Sequence, residues 1–128
     1  MRDEDAVREV LDRFKDAVER KEIKTIEQLI APGNDVIFYG SQAGDKQIGQ
    51  DAVVRSFAEQ FKEVEVIKSE LLASRVSVIG DVAWAAYDVR YREAGGAHAA
   101  SFDGRVSFVL RRLADGWKLV HLHHSRGR

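Results

Sequence analysis

The sequence predicts an α+β domain, with helices laid on one face of a curved, mostly antiparallel sheet. Apolar residues recur at helical spacing only in the first half of the chain. From Val66 onward they alternate with polar ones, in runs rich in Val, Tyr and Phe. Those runs are separated by Gly80-Asp81, Gly95-Gly96 and Ala114-Asp115-Gly116, each a turn signal. Helices first and strands afterwards is the α+β order.

Val7, Val10, Leu11, Phe14, Ala17 and Val18 form one apolar stripe, so a first helix is predicted over residues 3–21. Thr25 and Gln28 have capping-box spacing and predict a short second helix with Ile26, Leu29 and Ile30 inward. Pro32-Gly33-Asn34-Asp35 ends it. Val36 to Tyr39 is a short β-rich run, and the polar loop over residues 41–46 reverses the chain. A third helix starts near Asp51, whose carboxylate suits the positive end of the helix dipole. Its stripe is Val53, Val54, Phe57, Phe61 and Val64. Strands follow over residues 66–79 and 82–92. In the second, Ala85, Tyr87 and Val89 share a face opposite Trp84, Ala86 and Asp88. The last hairpin spans residues 101–125. Its first strand has Phe102, Val106, Phe108 and Leu110 on one face, and Asp103, Arg105, Ser107 and Val109 on the other. Strict alternation in its second strand groups Trp117, Leu119, His121 and His123 against Lys118, Val120, Leu122 and His124.

At 128 residues the chain is read as one domain, residues 1–128, large enough to bury a core. Twenty Lys and Arg against 21 Asp and Glu leave little net charge, and no basic block stands out, so nucleic acid is not the expected partner. The absence of cysteine excludes disulfides and thiolate metal sites. A charged N-terminus and the lack of any long apolar run predict a cytoplasmic protein without membrane contact.

The element order resembles the nuclear-transport-factor-2-like superfamily, and its SnoaL-like branch in particular. The resemblance is carried by Gly49-Gln50-Asp51-Ala52-Val53, Gly80-Asp81-Val82-Ala83-Trp84 and the ending Gly116-Trp117-Lys118-Leu119-Val120-His121-Leu122-His123-His124-Ser125. The ending is also similar to the association domain of calcium/calmodulin-dependent kinase II. The resemblance implies a cone-shaped fold that encloses an apolar pocket between helices and sheet, with the open sheet face forming a homodimer. Ketosteroid isomerase, of similar fold, uses an aspartate base and an oxyanion hole made by a tyrosine and a protonated aspartate. The matching positions here are Phe38, Phe14 and Ser107. Phenylalanine can neither take a carbon-bound proton nor donate to an oxyanion, so that mechanism is not expected.

The expected function is binding of a small apolar or amphipathic molecule, with isomerisation, cyclisation or dehydration of a carbonyl compound as the candidate chemistry. The alternative is a non-catalytic ligand-binding or association module. Pocket walls are expected from Phe14, Phe38, Val53, Phe57, Tyr87 and Val89, with Arg105 and Ser107 as polar contacts. His124 and Asp103 are the candidate proton movers, although Asp103 also suits a solvated ion pair. The dimer face is expected to hold Trp84, Val106, Phe108, Trp117, Leu119 and His121. His121 and His123 have a spacing that can chelate, but no carboxylate joins them; no metal and no cofactor are expected.

Overall fold

The computed structural model describes residues 1–95 and 98–127. Three helices, α1 (Asp3–Arg20), α2 (Ile23–Leu29) and α3 (Gln50–Glu63), pack on a curved, unclosed sheet of six strands. The strands are β1 (Ile37–Tyr39), β2 (Lys46–Ile48), β3 (Val66–Ile79), β4 (Val82–Gly95), β5 (His98–Leu113) and β6 (Gly116–Arg126), arranged β2-β1-β6-β5-β4-β3. All neighbours are antiparallel except β1 and β6. Among the described residues no helix is long and apolar enough to cross a membrane.

The helices form where the stripes predicted. Val7, Leu11, Phe14 and Ala17 of α1 are buried together with Val53 of α3. α1 ends at Lys21, a left-handed residue at φ 59° whose ammonium donates to the carbonyls of Phe61 and Val64. That contact ties the end of α1 to the end of α3. Thr25 is not the cap of α2: the helix begins two residues earlier, and Glu22 stands at the cap without a side-chain hydrogen bond. β2 lies partly in the segment expected to be a loop. Three residues with no apolar alternation carry no strand signal, and pairing with β1 makes them a strand. The Gly95-Gly96 turn is only partly observable: Gly95 is the last residue of β4, and Gly96 lies outside the described residues.

The faces of the last hairpin differ from the expectation. Val109 pairs with His121, but the next residue, Leu110, pairs with Leu119. Val120 is therefore an extra residue in β6, a β-bulge that shifts the side-chain phase by one. Trp117 and Leu119 before it, and Leu122 and His124 after it, all lie on the helix side, whereas His121 and His123 lie on the outer side. Val106 and Phe108 also face the helices: Phe108 pairs with buried Ala85, and its ring meets Phe14 and Tyr87 at 6.2 and 5.6 Å between centroids. Val106, Phe108, Trp117 and Leu119 are thus core residues and not an outer interface. Arg105 and Ser107, expected in the pocket, are exposed on the outer face. Trp84 and His121 do lie on that outer face, with Trp84 44% exposed.

Candidate functional site

The interior is filled with aromatic rings. Phe57 packs edge-to-face on both Phe14 and Phe38, at 5.7 and 6.4 Å, and tilts against Phe61 at 6.0 Å. Phe14 and Phe38 therefore belong to one chain of rings, not to two bare walls facing across a space. Val53, Tyr87 and Val89 are buried in the same cluster. Burial, and then the Asp12 charge, push the Tyr87 phenol up. Two open hollows, of about 560 Å³ beside Asp12, Asp16 and Glu70 and about 340 Å³ beside Val66 and Ala99, lie elsewhere on the surface.

Toward the far end of the sheet the same inner face loosens. Phe57, Phe61, Tyr91, Phe102, Leu122 and His124 are only half-buried. Strand alternation explains two of them: Tyr91 continues the face of Tyr87 and Val89, and pairs with Phe102, which continues the face of Phe108 and Val106. His124 pairs with Val106 and reaches this face because of the Val120 bulge. The His124 ring meets Tyr91 at 4.7 Å and Phe102 at 6.4 Å, and Tyr91 stacks on Phe102 at 5.3 Å.

Gly104 makes room for this arrangement. A Cβ there would stand 3.1 Å from His124 Nε2, 3.4 Å from the Tyr91 ring and 2.5 Å from the Ser125 carbonyl oxygen. Any side chain would clash first with the Ser125 backbone and would also crowd the imidazole. Arg126 pairs with Gly104, and its guanidinium carbon lies 3.6 Å from the centre of the Phe102 ring. That is a close cation–π contact.

His124 Nε2 is buried and has no hydrogen-bond partner among the described residues. An unpaired buried polar atom is uncommon and calls for an explanation. Burial first, then the charges of Arg126 and His123, hold the imidazole below its ordinary pKa of 6.5. The ring is neutral at neutral pH, able to accept a proton. Burial also pushes the Tyr91 phenol up to about 12, so its hydroxyl stays protonated.

The depressed imidazole carries a stability consequence. Just below pH 6.5 the unfolded chain binds a proton at His124 that the folded chain refuses. Stability therefore falls as pH drops through that window, down to the folded pKa. His124→Phe removes this contribution. Urea midpoints measured from neutral pH into the mildly acidic range should fall more steeply for the wild type than for the variant. Parallel curves would show that His124 titrates alike in both states.

Asp103, the other candidate proton mover, faces outward and pairs with Arg90 at 2.9 Å, while Arg105 sits 3.9 Å from Asp88. Asp103 is in a solvated cross-strand ion pair, its other reading, but its partner is Arg90 and not the Arg105 that was expected, and it does not border His124. His121 Nδ1 donates to the Ile37 carbonyl at 2.7 Å, and Tyr39 lies between His121 and His123 at 5.8 and 5.3 Å. Among the described residues no three His, Cys, Asp or Glu side chains converge as a metal site. Tyr91, Phe102, Gly104 and Arg126 were not among the expected site residues. Alternation alone could have found Tyr91, and it also places Arg126 on the face of His124.

The family described as the SnoaL-like domain matches residues 7–127. A candidate dehydratase of the nuclear-transport-factor-2-like family from Streptomyces avermitilis superposes with a TM-score of 0.91 at 24% identity, covering 98% of this chain and 97% of that one. A nuclear-transport-factor-2-like superfamily protein from Salmonella enterica gives 0.88 at 19% identity, covering 98% and 91%. A candidate aromatic ring hydroxylase from Novosphingobium aromaticivorans gives 0.87 at 22%, covering 98% and 90%. At these identities the likeness is one of fold. No curated protein matches the chain in sequence.

Proposed function

We propose a function from the premise that this chain belongs to the SnoaL-like domain family: it holds a small apolar or amphipathic carbonyl compound against the aromatic inner face, and His124 moves a proton on it. The observation that carries the reading is the unpartnered, buried Nε2 of His124 among Tyr91, Phe102 and Gly104. An imidazole that is neutral at neutral pH has the free lone pair a general base needs, and its lowered pKa makes it a weaker base than a free histidine. The aromatic surround suits a flat apolar body. The candidate dehydratase among the similar structures fits proton chemistry of this kind. With phenylalanine at positions 14 and 38, the chemistry is expected to run through His124 and not through the residues that ketosteroid isomerase uses.

The test is exchange of the α-protons of 2-tetralone in heavy water, followed by NMR. The wild type should accelerate exchange, and His124→Phe should lose about a hundredfold or more of that acceleration. No acceleration by the wild type would remove the catalytic half of the reading and leave ligand binding.

A second reading has its own observation and is compatible with the first. Ile48, Ile37, His121, Val109 and Trp84 stand side by side across five neighbouring strands of the outer face. Val82 and Ile79 continue the apolar surface beside Trp84, at 42% and 70% exposure. An apolar stripe of this extent usually marks an interface. The proposed occupant is a second copy of the chain, related by a two-fold axis. The stripe's flanks support self-pairing, because they carry both signs of charge: Arg90, Arg105, Asp88 and Asp103.

A further inference from the structure

We infer that the compound held at His124 is a planar aromatic carboxylate, with its ring against Phe102 and Tyr91 and its carboxylate on the Arg126 guanidinium; this rests on the reading of the inner face given above. Three features of different chemistry meet there. The first is a pair of stacked aromatic rings, Tyr91 on Phe102. The second is the unpartnered imidazole nitrogen of His124. The third is the Arg126 guanidinium, seated over Phe102. A guanidinium lying on a ring keeps its N–H edge free, and that edge fits a carboxylate with two parallel hydrogen bonds.

The cation is also well placed. Arg126 is a strand residue paired with Gly104, and the next residue, Gly127, donates its N–H to the Asp103 carbonyl at 2.7 Å. A charge mounted on a paired strand is held more firmly than one on a loop. The nearest carboxylates along the ladder do not compete for it, because Asp103 and Asp88 point to the other face and engage Arg90 and Arg105. Glu93 lies two pairs beyond Tyr91, on the inner side by alternation. It gives the site a negative end away from Arg126, which orients an anion toward the guanidinium. A neutral apolar molecule would satisfy the rings and leave the cation unused. An aliphatic acid would use the cation and lose the stacking.

The experiment follows the imidazole resonances of the intact protein by NMR while three probes are titrated: 1-naphthoate, its neutral isostere 1-naphthamide, and cyclohexanecarboxylate. His124 signals should move with 1-naphthoate, and the other two probes should bind at least tenfold more weakly. Arg126→Gln, a change at an exposed side chain, should weaken 1-naphthoate at least tenfold and bring it level with the amide. Amide and acid binding alike at His124, or Arg126→Gln leaving naphthoate unchanged, would overturn the carboxylate and leave the aromatic site standing. Tight cyclohexanecarboxylate binding would overturn the aromatic requirement. No movement of His124 with any probe would overturn both this inference and the proposed function.

Discussion

Replacing Phe108 by Glu is expected to unfold the domain. Phe108 is 6% exposed, lies opposite Ala85 and Leu122 on its neighbouring strands, and meets the rings of Phe14 and Tyr87. It therefore joins α1 to the middle of the sheet. Truncating such a residue to alanine costs about 3–5 kcal/mol. A carboxylate adds several kcal/mol more, because nothing in that apolar cluster can pair with it. A domain of this size is stable by only about 5–15 kcal/mol. The variant should be insoluble, or lack native circular dichroism, at neutral pH. The control is the next residue back on the same strand. Ser107→Glu places the same charge on the exposed outer face and should change stability by no more than about 0.5 kcal/mol. A folded Phe108→Glu protein that merely changes its state of association would mean that β5 faces the other way.

That contrast marks where the sequence stops being legible. Alternation in β5 correctly separates Phe102, Val106, Phe108 and Leu110 from Asp103, Arg105, Ser107 and Val109. It cannot say which set meets the helices. The largest aromatics invite assignment to one common patch, yet Trp84 and Phe108 lie on opposite faces, because Phe108 pairs with Ala85. Two small residues, Ala83 and Ala85, make room on β4 for the bulk of Leu110 and Phe108. In β6 the difficulty is different. The bulge at Val120 has no glycine or proline to announce it, and one extra residue inverts every later side chain. His124 was expected inward from strict alternation through Val120 and Leu122; it is inward in the fold for another reason, since the same count would have put Leu119 outside. The helices were the most legible part, because a 3.6-residue stripe of Val7, Leu11, Phe14 and Ala17 has only one way to meet a sheet. The long strand β3 was equally plain, with Gly80 at φ 57° making its turn into β4. The aromatic surround of His124 was not legible as a unit, because Tyr91, Phe102 and Arg126 come from three strands and meet only through register.

Trp84→Glu is expected to convert a dimer into a folded monomer. The change sits at the β4 end of the five-strand row, between Val109 of β5 and Ser77 of β3 and next to exposed Val82 and Ile79. A tryptophan that is nearly half exposed presents roughly 100 Å² to solvent. Burying one from each copy, at roughly 25 cal/mol per Å², contributes about 5 kcal/mol before association costs are met. Losing that, and putting a carboxylate from each copy into an apolar contact, should weaken the dimer by about a thousandfold or more. The fold should survive, because Trp84 lies outside the core cluster while its neighbours Ala83 and Ala85 stay buried within it. Light scattering coupled to size exclusion, at micromolar concentration, should give twice the chain mass for the wild type and one chain mass for the variant. Circular dichroism should be the same for both. Arg112→Ala is the comparison on the helix side, near the end of β5, where that residue binds Asp3 and Asp81 and covers Trp117. It should lower stability and leave the mass unchanged. A wild type that stays monomeric at high micromolar concentration would end the two-copy reading. A dimer that persists in Trp84→Glu would move the interface away from the stripe.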